Sequence, residues 1–344
     1  MSRTNAGMVL TYSVFHFIID FSCAFLIYQF VYGADQWYLY LLLYNFCAFA
    51  LQMPIGLIAD KWNHNALCAA IGCVLVAFAY GFSASLLAIV IVAGIGNAMF
   101  HIGGGITVLN LSEKKAGALG LFVSPGAFGI YLGTVLGKQE VLAYGIPILV
   151  LLAAAGILLV LHFKKVKAFL SNNHEVSFEG VNSSKVLMTV GCLFTVVCLR
   201  SYAGMLMKFP WKAEGYWSIT LICAVVLGKM SGGLIADRIG FRKASILSLG
   251  LAAVLFLISG YPLAGIAAVL LFNMTMPITL WAIAKNLASA KGFAFGILTL
   301  GLFLGSIPTL LDIEMKGNVM ITLSILSILS ILLLEVGLKK VAEV

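Results

Sequence analysis

The sequence predicts an all-α integral membrane protein of twelve transmembrane helices in two pseudo-symmetric six-helix bundles. Three observations carry this. First, 62% of the 344 residues are hydrophobic and 10% are charged, with a mean hydropathy of +1.08. Soluble domains carry roughly 25% charged residues, so a soluble chain of this composition would lack a polar surface to meet water. Second, the apolar residues fall in runs of about 20, the length of a spanning helix, without the alternation of a membrane β-barrel. Third, the phrase Gly-Leu-Ile-Ala-Asp occurs at Gly56–Asp60 and again at Gly233–Asp237, about half a chain later.

The expected spans are 7–31, 38–59, 66–83, 86–110, 116–137, 141–163, 186–207, 214–236, 244–260, 262–284, 292–311 and 318–338. The first contains Asp20 and no small-residue cleavage site, so it is expected to remain as a helix and not to be removed as a signal. The second and eighth each run into a copy of the repeated phrase. The fourth carries Gly103, Gly104 and Gly105, which permit close packing or bending, and the fifth is punctuated by Pro125. The sixth ends at the longest polar stretch, 164–185, which divides the helices six and six. The expected organisation is therefore a bundle over 1–163, a linker over 164–185 and a second bundle over 186–344. All seven cysteines lie inside the runs and none forms a C-x-x-C pair. They read as small apolar residues, and neither a disulfide framework, a metal site nor a cofactor is expected.

The formal net charge is +8. With the N-terminus inside, fifteen of the 21 Lys and Arg residues fall on the cytoplasmic side, and four (Lys138, Lys208, Lys212 and Lys316) fall outside. This is the positive-inside bias. It places both termini and the 164–185 linker in the cytoplasm, makes the chain a multi-pass protein of the cell membrane, and explains the basic excess without a nucleic acid.

Both copies of the repeated phrase sit in the loop after the second helix of a six-helix half, as expected of a protein built from internal repeats. The pattern Gly-x-x-x-Asp-Arg-x-Gly-x-Arg-Lys at this place resembles the signature loop of the major facilitator superfamily. The second copy, with Gly233, Asp237, Arg238, Gly240, Arg242 and Lys243, is nearly complete. The first keeps Gly56 and Asp60 but has Asn63 where the second has Gly240, and Asn65-Ala66 in place of the basic pair. A turn with positive φ is open to Gly and best tolerated by Asn among the others. The resemblance implies that these residues latch a gate, more weakly in the first half. The plain alternative is that Asp60 and Asp237 only cap helices.

An ionisable group at mid-membrane costs about 2.5–3.5 kcal/mol on insertion scales and is a functional candidate by default. Sorting the acids leaves only Asp20 in mid-helix, with His16 one turn earlier on the same face. Arg200 is the matching cation, at a similar depth in the seventh helix, and His101 lies in the fourth. Asp20 and His16 are expected to handle protons, and Arg200, His101 and Asp20 to contact substrate. The alternatives are a local hydrogen bond for the His16–Asp20 pair, an ion pair or snorkelling for Arg200, and simple burial for His101. Lys229 reads as snorkelling, and Glu335 as pairing with Lys339 one turn on.

Four segments are similar to the fosmidomycin-resistance type of drug transporter within that superfamily. They are His16-Phe-Ile-Ile-Asp20, the Phe100-His101 segment with Ile102 where that type has Pro, the stretch from Arg200-Ser201 to Phe209-Pro210, and the second gate loop. Gly120–Gly133, with Pro125, Gly126, Gly129 and Gly133, resembles a helix-five motif of proton antiporters. These resemblances imply a monomeric secondary transporter that exports a small organic compound in exchange for protons. They leave open an importer of an organic anion or nutrient, and a non-transporting sensor on the same fold. No ATP-binding motif or nucleophile–base pair is visible, so neither an ATP-driven pump nor an enzyme is expected.

Overall fold

The computed structural model describes residues 3–112, 115–164, 175–177, 184–311, 313 and 317–341. Among these, every regular element is a helix. Eleven are long and apolar enough to cross a bilayer. They are α1 (Thr4–Val31), α2 (Trp37–Trp62), α3 (Asn65–Phe82), α4 (Leu86–Ser112), α5 (Gly117–Gln139), α6 (Gly145–Phe163), α7 (Ser184–Leu206), α8 (Trp217–Ile239), α10 (Pro262–Asn286), α11 (Lys291–Leu310) and α12 (Val319–Lys339). The ninth in order, α9 (Phe241–Leu257), has 17 residues, or about 26 Å, slightly less than a hydrocarbon core of about 30 Å. It begins earlier than the expected 244–260 because Gly240, at φ 92°, ends α8 and allows the next helix to start at once. Most of the expected 164–185 linker lies outside the described residues.

The chain forms two compact units. Unit 1 is Met1–Glu113, Pro125–Ser177 and Ser289–Leu300, and unit 2 is Lys114–Ser124, Phe178–Ala288 and Gly301–Val344. The contiguous halves read from the sequence therefore each give one segment to the other unit, the start of α5 and the start of α11.

In unit 1, α1 packs along the Pro125–Gln139 part of α5, and α3 packs against α4 and α6. In unit 2, α12 packs against α7 and α9, and α8 against α10. In lipid the hydrophobic effect does not drive helices together, so close packing of small residues has to. A Cβ on Gly129 or Gly133 would run into the α1 carbonyl oxygens of Phe17 and Phe21, and one on Gly228 or Gly232 into those of Leu270 and Met274.

Proline and wide turns break the regularity of the spans. Ser124 leaves the helical pattern just before Pro125 in α5, and α10 is interrupted at Met274–Thr275, just before Pro277. A proline has no backbone N–H, so the carbonyl four residues earlier loses its helical donor. Hydroxyls bond other carbonyls around the break in α10: Thr275 donates to Phe272 O and Thr279 to Met276 O. Two π-helical turns, Ile27–Val31 in α1 and Phe46–Ala50 in α2, had no counterpart in the sequence reading.

Candidate functional site

The two copies of the repeated phrase do the same structural work. In unit 1 the Asp60 carboxylate accepts the backbone N–H groups of Gly292 (2.8 Å) and Phe293 (2.9 Å), at the start of α11. In unit 2 the Asp237 carboxylate accepts those of Ala116 (2.7 Å) and Gly117 (2.9 Å), at the start of α5. The first N–H groups of a helix lack intrahelical partners and form a positive end, so each carboxylate caps a helix distant in sequence. The glycine one turn earlier allows the approach. A Cβ on Gly56 would collide with the Gly292 carbonyl, and one on Gly233 with the Ala116 carbonyl. Asn63 and Gly240 both have positive φ, 55° and 92°.

The basic residues of the second copy behave differently. Arg238 and Lys243 are exposed. Arg242 donates from Nε to both oxygens of Glu335 (2.7 and 2.6 Å) on α12, and Nη2 lies against Oε2 as well. Glu335 is thus hydrogen-bonded to Arg242, because α9 and α12 pack side by side, and the charge of Lys339, the neighbour expected from the sequence, acts on it as well.

Three of the four intramembrane candidates meet in unit 1. His16 Nε2 lies 3.2 Å from Asp20 Oδ2. His101 Nε2, from α4, lies 3.0 Å from His16 Nε2 and 3.6 Å from Asp20 Oδ1. All three residues are buried. Asn97, one turn before His101 and also buried, donates from Nδ2 to Asp20 Oδ1 at 3.2 Å. The i,i+4 spacing of Asn97 and His101 was available in the sequence, but Asn97 carries no charge and was not singled out.

The hydrogen bonds fix where protons can reside. His101 Nδ1 is 2.9 Å from the carbonyl oxygen of Asn97. A carbonyl only accepts, so Nδ1 carries the hydrogen, and the Nε2 of a neutral His101 is a bare lone pair. The 3.0 Å contact between the two Nε2 atoms then requires a hydrogen on His16 Nε2, which is also within reach of Asp20. The cluster therefore holds at least one proton among three acceptor positions and has room for more.

Gly126 makes space for this cluster. A Cβ there would overlap Asp20 Oδ2 and His16 Nε2. The sequence marked Gly126 only as part of a small-residue face; its contact with the two charged residues emerges from the packing of α5 on α1.

Arg200 belongs to unit 2, with its partners there. It is buried, and Nη1 donates to Thr279 Oγ1 at 3.2 Å. A guanidinium has five N–H donors, so among the described residues most have no protein acceptor. The interrupted α10 supplies Thr279, another residue that the sequence reading missed. Lys229 is half-buried in α8.

Solved structures with the same architecture include a single-residue variant of the E. coli fucose:proton symporter FucP, at TM-score 0.72 and 14% identity, covering 97% of this chain and 98% of that one. A FucP structure in the outward conformation gives 0.68 and 15%, covering 98% of both. The human organic anion transporter MFSD10 (TETRAN) gives 0.67 and 16%, covering 95% and 99%. The fold is that of the major facilitator superfamily transporters. No family profile and no curated protein sequence matches the chain.

Proposed function

We propose that this chain is a secondary transporter that moves a small organic compound across the cell membrane in exchange for protons. The observation that carries the reading is the buried His16–Asp20–His101 cluster inside membrane-spanning helices. Buried ionisable groups of this kind are expensive in a bilayer and mark ion pathways. Asp20 and His16 bind the coupling proton, and His101 relays it or contacts substrate. Transport runs by alternating access, with repeated six-helix halves over 1–163 and 186–344. The capped loops at Asp60 and Asp237 act as gates, with Asn63, Gly240, Arg238 and Arg242 shaping and charging them. The four segments like those of the fosmidomycin-resistance type favour export, and the 15-to-4 charge bias favours cytoplasmic termini.

A second reading, proton-coupled import of an organic anion, draws on Arg200. Its unfilled donors suit a carboxylate or phosphonate, and the FucP and MFSD10 names describe a proton symporter and an organic anion transporter. One experiment tests both readings. Purified protein in proteoliposomes of known orientation is screened against labelled organic solutes with an imposed pH gradient of either sign. Accumulation opposite to proton flow supports antiport, and accumulation with proton flow supports import. Uptake that ignores the gradient for every transported solute overturns proton coupling.

A further inference from the structure

We propose that His16, Asp20 and His101 together form a binding site for a divalent first-row transition-metal cation of the Zn²⁺ or Co²⁺ type. The inference rests on the reading of this cluster as the ion-handling centre, and extends it from the proton to a metal ion.

The donor atoms that share a proton in this cluster are also close enough to share a cation, which would displace the hydrogen from His16 Nε2. His16 Nε2, His101 Nε2 and the Asp20 carboxylate oxygens converge with separations of 3.0, 3.2 and 3.6 Å. One donor atom from each residue lies within 4.8 Å of the others. Donors about 2.1 Å from one ion stand about 3.0–3.6 Å apart when the ligand–metal–ligand angles are between roughly 90° and 115°. The two nitrogens already have that spacing, each facing a different oxygen of Asp20, and a turn of the carboxylate would bring one oxygen to both.

Two further observations point the same way. Metal-binding histidines characteristically give their other ring N–H to a carbonyl or carboxylate, which holds the ligating nitrogen in place. His101 does this, with Nδ1 bonded to the Asn97 carbonyl and Nε2 directed at the cluster. Second, the side-chain oxygen of Asn97 is buried without a hydrogen-bond partner among the described residues, on the same amide whose nitrogen holds Asp20. Buried acceptors are rarely left unsatisfied, and a metal-bound water is one donor that would fill this one.

Two imidazoles and one carboxylate also select the class of cation. Ca²⁺ and Mg²⁺ take shells of oxygen ligands, whereas imidazole nitrogen suits Zn²⁺, Co²⁺ and their neighbours. Three protein ligands leave at least one position for water or for an anionic group of a transported solute. The sequence showed none of this, because its metal patterns are local and His101 lies 85 residues from His16.

The test uses untagged, full-length protein in detergent, stripped with EDTA. Co²⁺ titration is followed by visible absorption and Zn²⁺ titration by calorimetry. One equivalent should bind with visible ligand-field bands. His101→Gln and His16→Ala should each weaken binding at least 100-fold, and Asp20→Asn at least tenfold, in variants that keep the native elution volume and melting temperature. His64→Ala and His162→Ala, which alter a second histidine pair elsewhere in unit 1, should leave binding unchanged. Absence of the bands, or native affinity in His101→Gln, overturns the proposal. Proton coupling is scored separately, as solute accumulation on a pH gradient in EDTA. Accumulation without Co²⁺ binding rejects the metal site alone, and Co²⁺ binding without accumulation rejects the proton reading alone.

Discussion

The carboxylate of Asp60 accepts the backbone N–H of Gly292 at 2.8 Å. Asp237 repeats the arrangement on Ala116 and Gly117. A repeated five-residue phrase is thus a repeated joint, in which glycine admits the neighbouring backbone and aspartate caps it one turn later. Replacing either carboxylate strands two helix-end donors. Asp60→Ala should destabilise by about 1–3 kcal/mol, read as a lower melting temperature in detergent. Asp237→Ala should cost less, since Asp60 is only 3% exposed and Asp237 is half-buried. Equal and negligible shifts for both would show that the caps contribute nothing.

Gly126 and Gly129 lie one turn apart but guard different things. A methyl at Gly126 meets the far ends of the Asp20 and His16 side chains, whereas one at Gly129 meets the backbone oxygen of Phe17. Side-chain ends can swing aside; a packed helix backbone must be pushed. Gly126→Ala should therefore keep the melting temperature and alter the pH profile of transport. Gly129→Ala should lower stability by about 1–3 kcal/mol. The reverse pattern would separate Gly126 from the site.

Asp20→Asn removes the one carboxylate that the sequence puts in mid-span while keeping its shape. With proton coupling through the cluster, accumulation on a pH gradient should fall to the level seen without one, while substrate counterflow continues. Uphill accumulation by the Asn variant would move the coupling proton to His16, His101 or the substrate.

Arg200→Lys should impair transport nearly as much as Arg200→Ala. Lysine offers a compact point charge where arginine offers a planar fork, and a carboxylate or phosphonate gripped at two points distinguishes them. The check is the KM for an anionic solute in both variants. A native KM in the Lys variant would reduce Arg200 to a generic positive charge.

The fold was readable in the sequence because a bilayer leaves few choices. An unbroken apolar run of about 20 residues must satisfy its own backbone, and a helix does so. The His16–Asp20 pair was readable for a related reason, since i and i+4 share a helix face. Legibility ended where contacts join distant segments. Nothing in the run around His101 announces that its ring meets His16, or that Gly126 leaves room for both. Glu335 illustrates the limit: its local neighbour Lys339 does act on it, but the Arg242 guanidinium on a neighbouring helix, which bonds both its oxygens, was out of sight. Thr279 became visible only once the break before Pro277 placed it beside Arg200.

The wide turn at Phe46–Ala50 has one more consequence. A π-turn accommodates about one extra residue, which offsets the helical wheel on either side by roughly 100°. The backbone of Tyr44 and Ala48 lies beside Gly94 of α4 at this turn, three residues before Asn97. Tyr44 and its predecessors therefore belong to one phase of α2, and Gln52, Gly56 and Asp60 to another. A scan of α2 plotted on a single wheel would split its sensitive positions into two arcs about 100° apart. Plotted as two wheels with that step allowed for at residue 50, the same positions gather into one stripe.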